Sequence, residues 1–330
     1  MNHRLSCRSF GIALVLITSF LAAAPADARS SDLLFTSMGP RQVRVELANQ
    51  TYVDPSSVSG RTKDPVPHSG VVQLPVDFHP QPAGRYRLLV LLHGSGGSST
   101  TWTERGDLLH DARLQDVVVL SLDGGHYGMY TNWVRLGGAR WLDLHRALIN
   151  AVIERFSIST DRSARAIVGV SMGGQGALRY AGQWPETFGT VGALSPALPD
   201  MRSPEAVAAY PLQVSAKAGT LVRYRDTWGP VFGPRARRAN PMDNLARLVG
   251  TTVHVTAGDG SACPDGAGVP EPDSAVTEMG IARQTRRYAR ALSANGVAVT
   301  TAEHCGAHGD WRWWLIGLDE TLALWSATST

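Results

Sequence analysis

Cysteine is scarce in this chain, with three residues in 330, which excludes a scaffold built from many disulfides. Neither a C-x-x-C nor an H-E-x-x-H element occurs, so the usual zinc-binding patterns are missing. No long apolar run follows the N-terminal stretch, which argues against a membrane-spanning helix in a mature chain. Charge is modest, at 18% of residues and a formal net of +3, and no basic stripe is interleaved with aromatics. Nucleic acid is therefore not an expected partner. Internal repeats and low-complexity linkers are also lacking, and one domain is the economical organisation. What the chain does have is 43% hydrophobic residues and nine tryptophans, ample for a large core.

The first residues read as a targeting segment. Arg4 and Arg8 supply a positive start, Phe10 to Ala24 an apolar stretch, and Ala26-Asp27-Ala28 a small-x-small cleavage pattern. The expectation is a signal peptide over 1–28 and a catalytic domain over 29–330, exported to the cell envelope or beyond. Removing two arginines and one aspartate takes the formal charge from +3 to +2. Cys7 leaves with the leader, and Cys263 and Cys305 remain as a pair in an oxidising compartment, which points to a disulfide. Zinc is the rival reading, because His304 and His308 flank Cys305. Arg223, Arg225, Arg235, Arg237 and Arg238 cluster locally; a solvated surface is the plainer reading, an anionic headgroup contact the other.

Strand-like and helix-like stretches alternate, as a mostly parallel central sheet with helices on both faces requires. Arg41 to Val53 and Val71 to Phe78 show period-two patterning and read as an antiparallel edge. Buried-strand runs follow at Leu88–Leu92, Val117–Leu122, Ala166–Val170, Val191–Leu194, Val253–Ala257 and Val297–Ala302. Amphipathic helices are expected over Trp141 to Phe156 and Thr277 to Asn295. The stretch 199–241 is rich in proline and poor in periodicity, and reads as a lid or substrate-facing excursion.

Gly169-Val170-Ser171-Met172-Gly173 matches G-x-S-x-G between an apolar strand and a helix start. That turn needs small residues around the serine and presents its hydroxyl at the carboxyl end of the sheet. Alone the pattern is common by chance; in this setting it marks Ser171 as a nucleophile. An oxyanion needs two backbone N–H donors. Met172, next to the serine, supplies one. Ser95 supplies the other, in the loop His93-Gly94-Ser95-Gly96-Gly97 after an apolar strand.

The base should follow on a loop after the last strand. His308, between Ala307 and Gly309 and before a tryptophan-rich helix, is preferred to His304. For the acid, Asp259 directly follows the strand Val253–Ala257, the usual place, and Glu278 lies near the next helix start. Spacing alone leans to Asp259.

Several pieces between Leu88 and Trp325 resemble the antigen 85-type secreted mycolyltransferases and their esterase D-like relatives among the α/β-hydrolases. Gly124-Gly125 with Tyr130 and Trp133 is similar to that family's G-G-x-x-x-x-Y-x-x-W loop, and Arg140-Trp141 to its K-W helix start. Asp226, Trp228-Gly229-Pro230 and Asn240-Pro241 are similar to D-x-W-G-P followed by N-D-P, and Gly306-Ala307-His308 to its G-T-H. Val276-Thr277-Glu278 matches the position of the family's acid, with Tyr288 and Gly296 in register. The resemblance therefore implies Glu278 as the acid, with Asp259 as second choice, and an α/β-hydrolase fold. It departs at the oxyanion loop: trehalose-using members have D-G-L-R there, whose Asp and Arg hold the sugar, against His93-Gly94-Ser95-Gly96 here. Plain hydrolysis gains from that loss.

The expected chemistry is two-step acyl transfer on an ester through Ser171, His308 and Glu278, needing no metal or organic cofactor. A carboxylesterase is the leading expectation. The alternatives are an acyltransferase to a cell-envelope lipid or glycan hydroxyl, and a non-catalytic binding module, against which the retained Ser171, Glu278 and His308 argue.

Overall fold

The computed structural model describes residues 33–52, 66–79, 84–106, 108, 111–134, 140–197, 199–218, 222–264 and 271–328. The expected leader, with Cys7, lies outside the described residues. Nine strands are found among the described residues: β1 (Leu33–Gly39), β2 (Gln42–Tyr52), β3 (Val66–Gln73), β4 (Arg87–Leu92), β5 (Val117–Leu122), β6 (Arg165–Val170), β7 (Thr190–Leu194), β8 (Thr252–Gly258) and β9 (Ala298–His304). They form one sheet in the order β1-β2-β3-β5-β4-β6-β7-β8-β9, antiparallel from β1 to β5 and parallel from β5 onward.

The inner parallel strands β4 to β7 are the apolar runs of the sequence and are buried on both faces, whereas the parallel edge strand β9 is largely exposed. Side chains alternate between two cores. Leu88, Val90, Leu92, Ile167 and Val191 face α2 (Trp141–Arg155), α3 (Met172–Gln183) and α7 (Pro272–Ala294). Leu89, Leu91, Val168 and Val170 face the opposite way, onto Trp102 of α1 (Thr101–Arg105) and onto α8 (Trp311–Thr328). Each fully buried side chain of that size contributes about 1.5–3 kcal/mol from water exclusion.

Three features correct or extend the sequence reading. β1 is an additional edge strand, half-exposed and without clean alternation, so its pattern did not stand out. The strand read over Val71–Phe78 ends at Gln73, beyond which the chain turns at Val76-Asp77. The aperiodic stretch 199–241 is largely helical: α4 (Pro204–Ala218), α5 (Tyr224–Trp228) and α6 (Pro234–Ala239). α5 and α6 are too short to display a period, and α4 carries Pro211 in its interior, which masks its helical reading.

This excursion is pinned to the body by a buried cation. Arg179 of α3 is 2% exposed and donates from Nε to the Ala239 carbonyl (2.7 Å) and from Nη1 to the Met129 carbonyl. Burial pulls its guanidinium down to about 10, and carbonyl oxygens rather than a carboxylate satisfy it. Asn240 adds a second anchor, donating to Asp200 (3.2 Å) and Asp243 (2.9 Å) and accepting the Met201 N–H (3.0 Å).

The parallel register aligns the strand ends, pairing Leu92 with Gly169, Val170 with Leu194 and Gly258 with His304. Every loop that follows β4, β6, β7, β8 and β9 therefore opens on one edge of the sheet, where ligands of open α/β sheets bind.

Candidate active site

β6 runs straight into α3 through one residue, Ser171, at φ 54° and ψ −117°. A non-glycine residue in such a conformation costs of order 1–3 kcal/mol. The flanking glycines are steric requirements. A Cβ on Gly169 would lie 2.1 Å from the Gly173 carbonyl oxygen, and one on Gly173 would lie 2.3 Å from that of Leu92. Strand, turn and helix approach too closely for any side chain, and the turn lifts the Ser171 hydroxyl to the sheet edge.

The loop after β4 packs against this serine. A Cβ on Gly94 would sit 3.4 Å from Ser171 Cβ. His93 is fully buried and fixes the loop from beneath. Its Nε2 accepts the Gly124 N–H at 2.9 Å, so the ring proton is on Nδ1, which donates to the Gly94 carbonyl at 2.7 Å. Ser95 and Met172 both line the cavity at Ser171. Met172 opens α3, where the first N–H groups have no partner within the helix and the dipole favours negative charge.

His308, on the loop after β9, reaches Ser171 with Nε2 2.8 Å from Oγ. Its Nδ1 donates to Glu278 Oε2 at 2.5 Å. Glu278 has no exposure to solvent, and its second oxygen accepts from Ser195 Oγ (2.6 Å) and the Gly258 N–H (2.7 Å). Burial pushes this carboxyl up, but His308, Ser195 and Gly258 together outweigh it and hold it below the ordinary value. The carboxylate stays ionised, as an acid that orients an imidazole must.

Asp259, the acid favoured by spacing, is exposed, and its Oδ1 is occupied by the Ser261 N–H at 2.8 Å. The structure brings His308 to Glu278 instead. His304, the rival base, stacks on Trp313 at 4.5 Å and 9° and donates from Nδ1 to the Cys305 carbonyl.

Ser195 and Trp314 belong to the site and were not singled out from the sequence. Trp314 Nε1 donates to Ser195 Oγ at 3.1 Å and packs edge-on to His308 at 5.6 Å. Ser195 follows β7 at the same sheet edge where Ser171 follows β6. A polar residue immediately after a buried strand was the available signal. Ser195→Ala removes one donor to a buried charge, so kcat should fall about tenfold with KM nearly unchanged. A fall in KM alone, or no change, would show that Ser195 does not position Glu278.

Cys263 and Cys305 form a disulfide, with Cα atoms 5.2 Å apart. Their thiols are thereby spent, and the zinc reading loses its cysteine ligand. The bridge joins the loop after β8 to the loop that carries His308, beside hydrogen bonds from Gly306 N–H to the Ser261 carbonyl (2.8 Å) and from His308 N–H to that of Ser274 (3.2 Å). Because Asp259 is not the partner of His308, the bridge steadies the approach to α7 rather than the acid itself. Chain entropy assigns a 42-residue loop about 4 kcal/mol. Reduction should therefore lower Tm by several degrees and reduce turnover, read by calorimetry and assay with and without reductant. Free thiols at both positions in the unreduced protein would contradict this.

The cavity at Ser171 and His308 measures about 1020 Å³. α4 and α7 wall one side through Tyr210, Val214 and Ile281; Glu104, Arg105 and Trp311 line the other. A hydroxyl hydrogen-bonded to an imidazole, itself backed by a buried carboxylate, is an arrangement that can generate an oxygen nucleophile.

An esterase of Mycobacterium tuberculosis is 33% identical over 129 residues, which is 38% of this chain and 28% of that protein. The MPT51/MPB51 antigen of Mycobacterium bovis is 28% identical over 104 residues, 31% of this chain and 33% of that protein. The chain thus spans about a third or less of the curated relatives it matches. Among solved structures, MPT51 of Mycobacterium tuberculosis superposes with a TM-score of 0.63 at 20% identity, covering 86% of this chain and 98% of that one. An S-formylglutathione hydrolase of Staphylococcus aureus gives 0.58 at 14% identity, covering 86% and 98%. The fold they share with this chain is the α/β-hydrolase fold. The esterase family model matches residues 67–324, a span that takes in the sheet from β3 to β9 and every residue of the site, and the chain belongs to that family.

Proposed function

We propose that the protein is an exported serine esterase that cleaves carboxylic esters through an acyl-Ser171 intermediate. The observation that carries this reading is the continuous hydrogen-bonded chain from Ser171 through His308 to Glu278, at 2.8 and 2.5 Å. His308 takes the Ser171 proton as Oγ attacks the ester carbonyl, and returns it to the departing alcohol. Glu278 holds the ring in its Nδ1–H tautomer and stabilises the imidazolium. The N–H groups of Met172 and Ser95 receive the oxyanion. Water, activated by His308, then releases the acid. Export rests on the leader-like residues 1–28 and agrees with the Cys263–Cys305 disulfide.

Transfer of the acyl group to a glycan or envelope-lipid hydroxyl is the second reading, and it uses the same residues. The cavity favours it: at about 1020 Å³ it sits at the top of the roughly 300–1,000 Å³ range of small-molecule sites, leaving room for an acceptor beside an acyl-enzyme. The test is turnover of short and long acyl esters by purified protein, with and without a sugar acceptor. Hydrolysis requires free acid to match ester consumed whether or not acceptor is present. An acylated sugar as the main product would assign transfer, and no turnover of any ester would remove the esterase reading.

A further inference from the structure

Between Val222 and Ala239 the chain carries five arginines, Arg223, Arg225, Arg235, Arg237 and Arg238, against one acidic residue, Asp226. The five are exposed, whereas Asp226 is buried and accepts the Arg223 backbone N–H. Among the described residues none of the five makes an ion pair. Some exposed arginines elsewhere do, Arg113 with Asp111 and Asp319, Arg146 with Glu186 and Arg286 with Glu303, whereas among the described residues the exposed Arg155, Arg283 and Arg290 do not. What distinguishes this segment is five such arginines within 16 residues. The nearby Asp243 is already taken by Arg202.

Between these arginines in sequence stands Phe232, 74% exposed, the most exposed large apolar side chain among the described residues. Arg237 Nε donates to its carbonyl at 3.3 Å, and the Arg202 guanidinium lies 5.7 Å from its ring centroid. The backbone beneath is fixed. Asn244 Nδ2 donates to the carbonyls of Arg237 (3.1 Å) and Arg238 (3.0 Å), Gln183 Nε2 donates to that of Arg238, and Arg179 holds Ala239. The backbone that carries the cations and the ring is thus anchored by hydrogen bonds, while the ring stays mostly open to solvent.

We propose that this face docks on an anionic lipid bilayer, with the arginines on the headgroups and Phe232 entering the boundary between headgroups and acyl chains. Charge complementarity identifies the occupant: unpaired guanidiniums suit phosphate-bearing lipid, and each one near such a surface raises partitioning about fivefold. The exposed ring separates a bilayer from a soluble polyanion, which offers it no apolar phase. α4, in the same excursion, walls the cavity, so docking would bring the site to a surface rich in ester lipid. The docking itself does not depend on the esterase reading.

The experiment is sedimentation of the full exported chain with vesicles of phosphatidylcholine alone or mixed with phosphatidylglycerol. Binding should be at least about tenfold stronger to the mixed vesicles and should weaken as salt rises. The charge reversals Arg235→Glu with Arg237→Glu should lower it about a hundredfold, and Phe232→Ala should lower it several-fold. Both variants should hydrolyse a soluble short-chain ester at the parent rate, which shows they are folded, and Ser171→Ala should bind vesicles normally even when inactive. Equal or negligible binding to both vesicles overturns the proposal. So does retention on immobilised heparin with no vesicle binding, or a Phe232→Ala variant that binds as tightly as the parent.

Discussion

Ser171→Ala should lower ester turnover by about four orders of magnitude or more while leaving the fold intact. The loss is large because, in the proposed mechanism, Oγ forms the acyl bond and passes its proton to His308 Nε2, 2.8 Å away. What remains is the part of catalysis that the oxyanion donors supply without a nucleophile. Stability should change by no more than about 1 kcal/mol. Alanine meets the same steric demand as serine at φ 54°, and the helix that follows is set by glycine contacts rather than by the hydroxyl. Turnover and Tm measured on one preparation separate the two effects. Near-parental turnover with an unchanged Tm would mean that Ser171 is not the nucleophile.

Glu278→Gln should cost about three to four orders of magnitude in kcat, and Asp259→Asn no more than about twofold. The amide cannot satisfy its surroundings. His308 Nδ1, Ser195 Oγ and the Gly258 N–H all donate toward the carboxylate, so an NH₂ group must face a donor on one side or the other. The imidazole is then driven to the wrong tautomer, with its proton on the nitrogen that should accept from Ser171. Asp259, exposed and engaged with Ser261, has no such consequence. The reverse ranking, on variants of equal Tm, would give the orienting role to Asp259.

Much of the sheet could be read in the sequence because the inner parallel strands β4 to β7 are buried and spelled mainly as apolar runs. The serine turn was equally legible, since Gly169 and Gly173 are dictated by contacts that no side chain fits. The carboxylate that meets His308 was not legible from spacing. α7 begins at Pro272 rather than near Thr277, which places Glu278 almost two turns inside the helix, on the face shared with Ile281, Ala282 and Thr285. A long side chain reaching back from a helix interior leaves no local pattern, whereas Asp259 sits where a strand-end acid would be sought. The family resemblance pointed to Glu278 where local physics did not. Ser195 escaped for a related reason: its partners, Glu278 and Trp314, are 83 and 119 residues away. The buried Arg179 looked like any surface arginine, because its acceptors are backbone carbonyls of distant loops.

The central claim is that an acyl group passes through Ser171 Oγ, and intact-protein mass spectrometry after treatment with a fluorophosphonate tests it most directly. The expected result is one adduct per chain, located by proteolysis to the peptide containing Ser171, lost in Ser171→Ala and slowed strongly in Glu278→Gln. An unlabelled protein, or an adduct on another residue that survives Ser171→Ala, would contradict it.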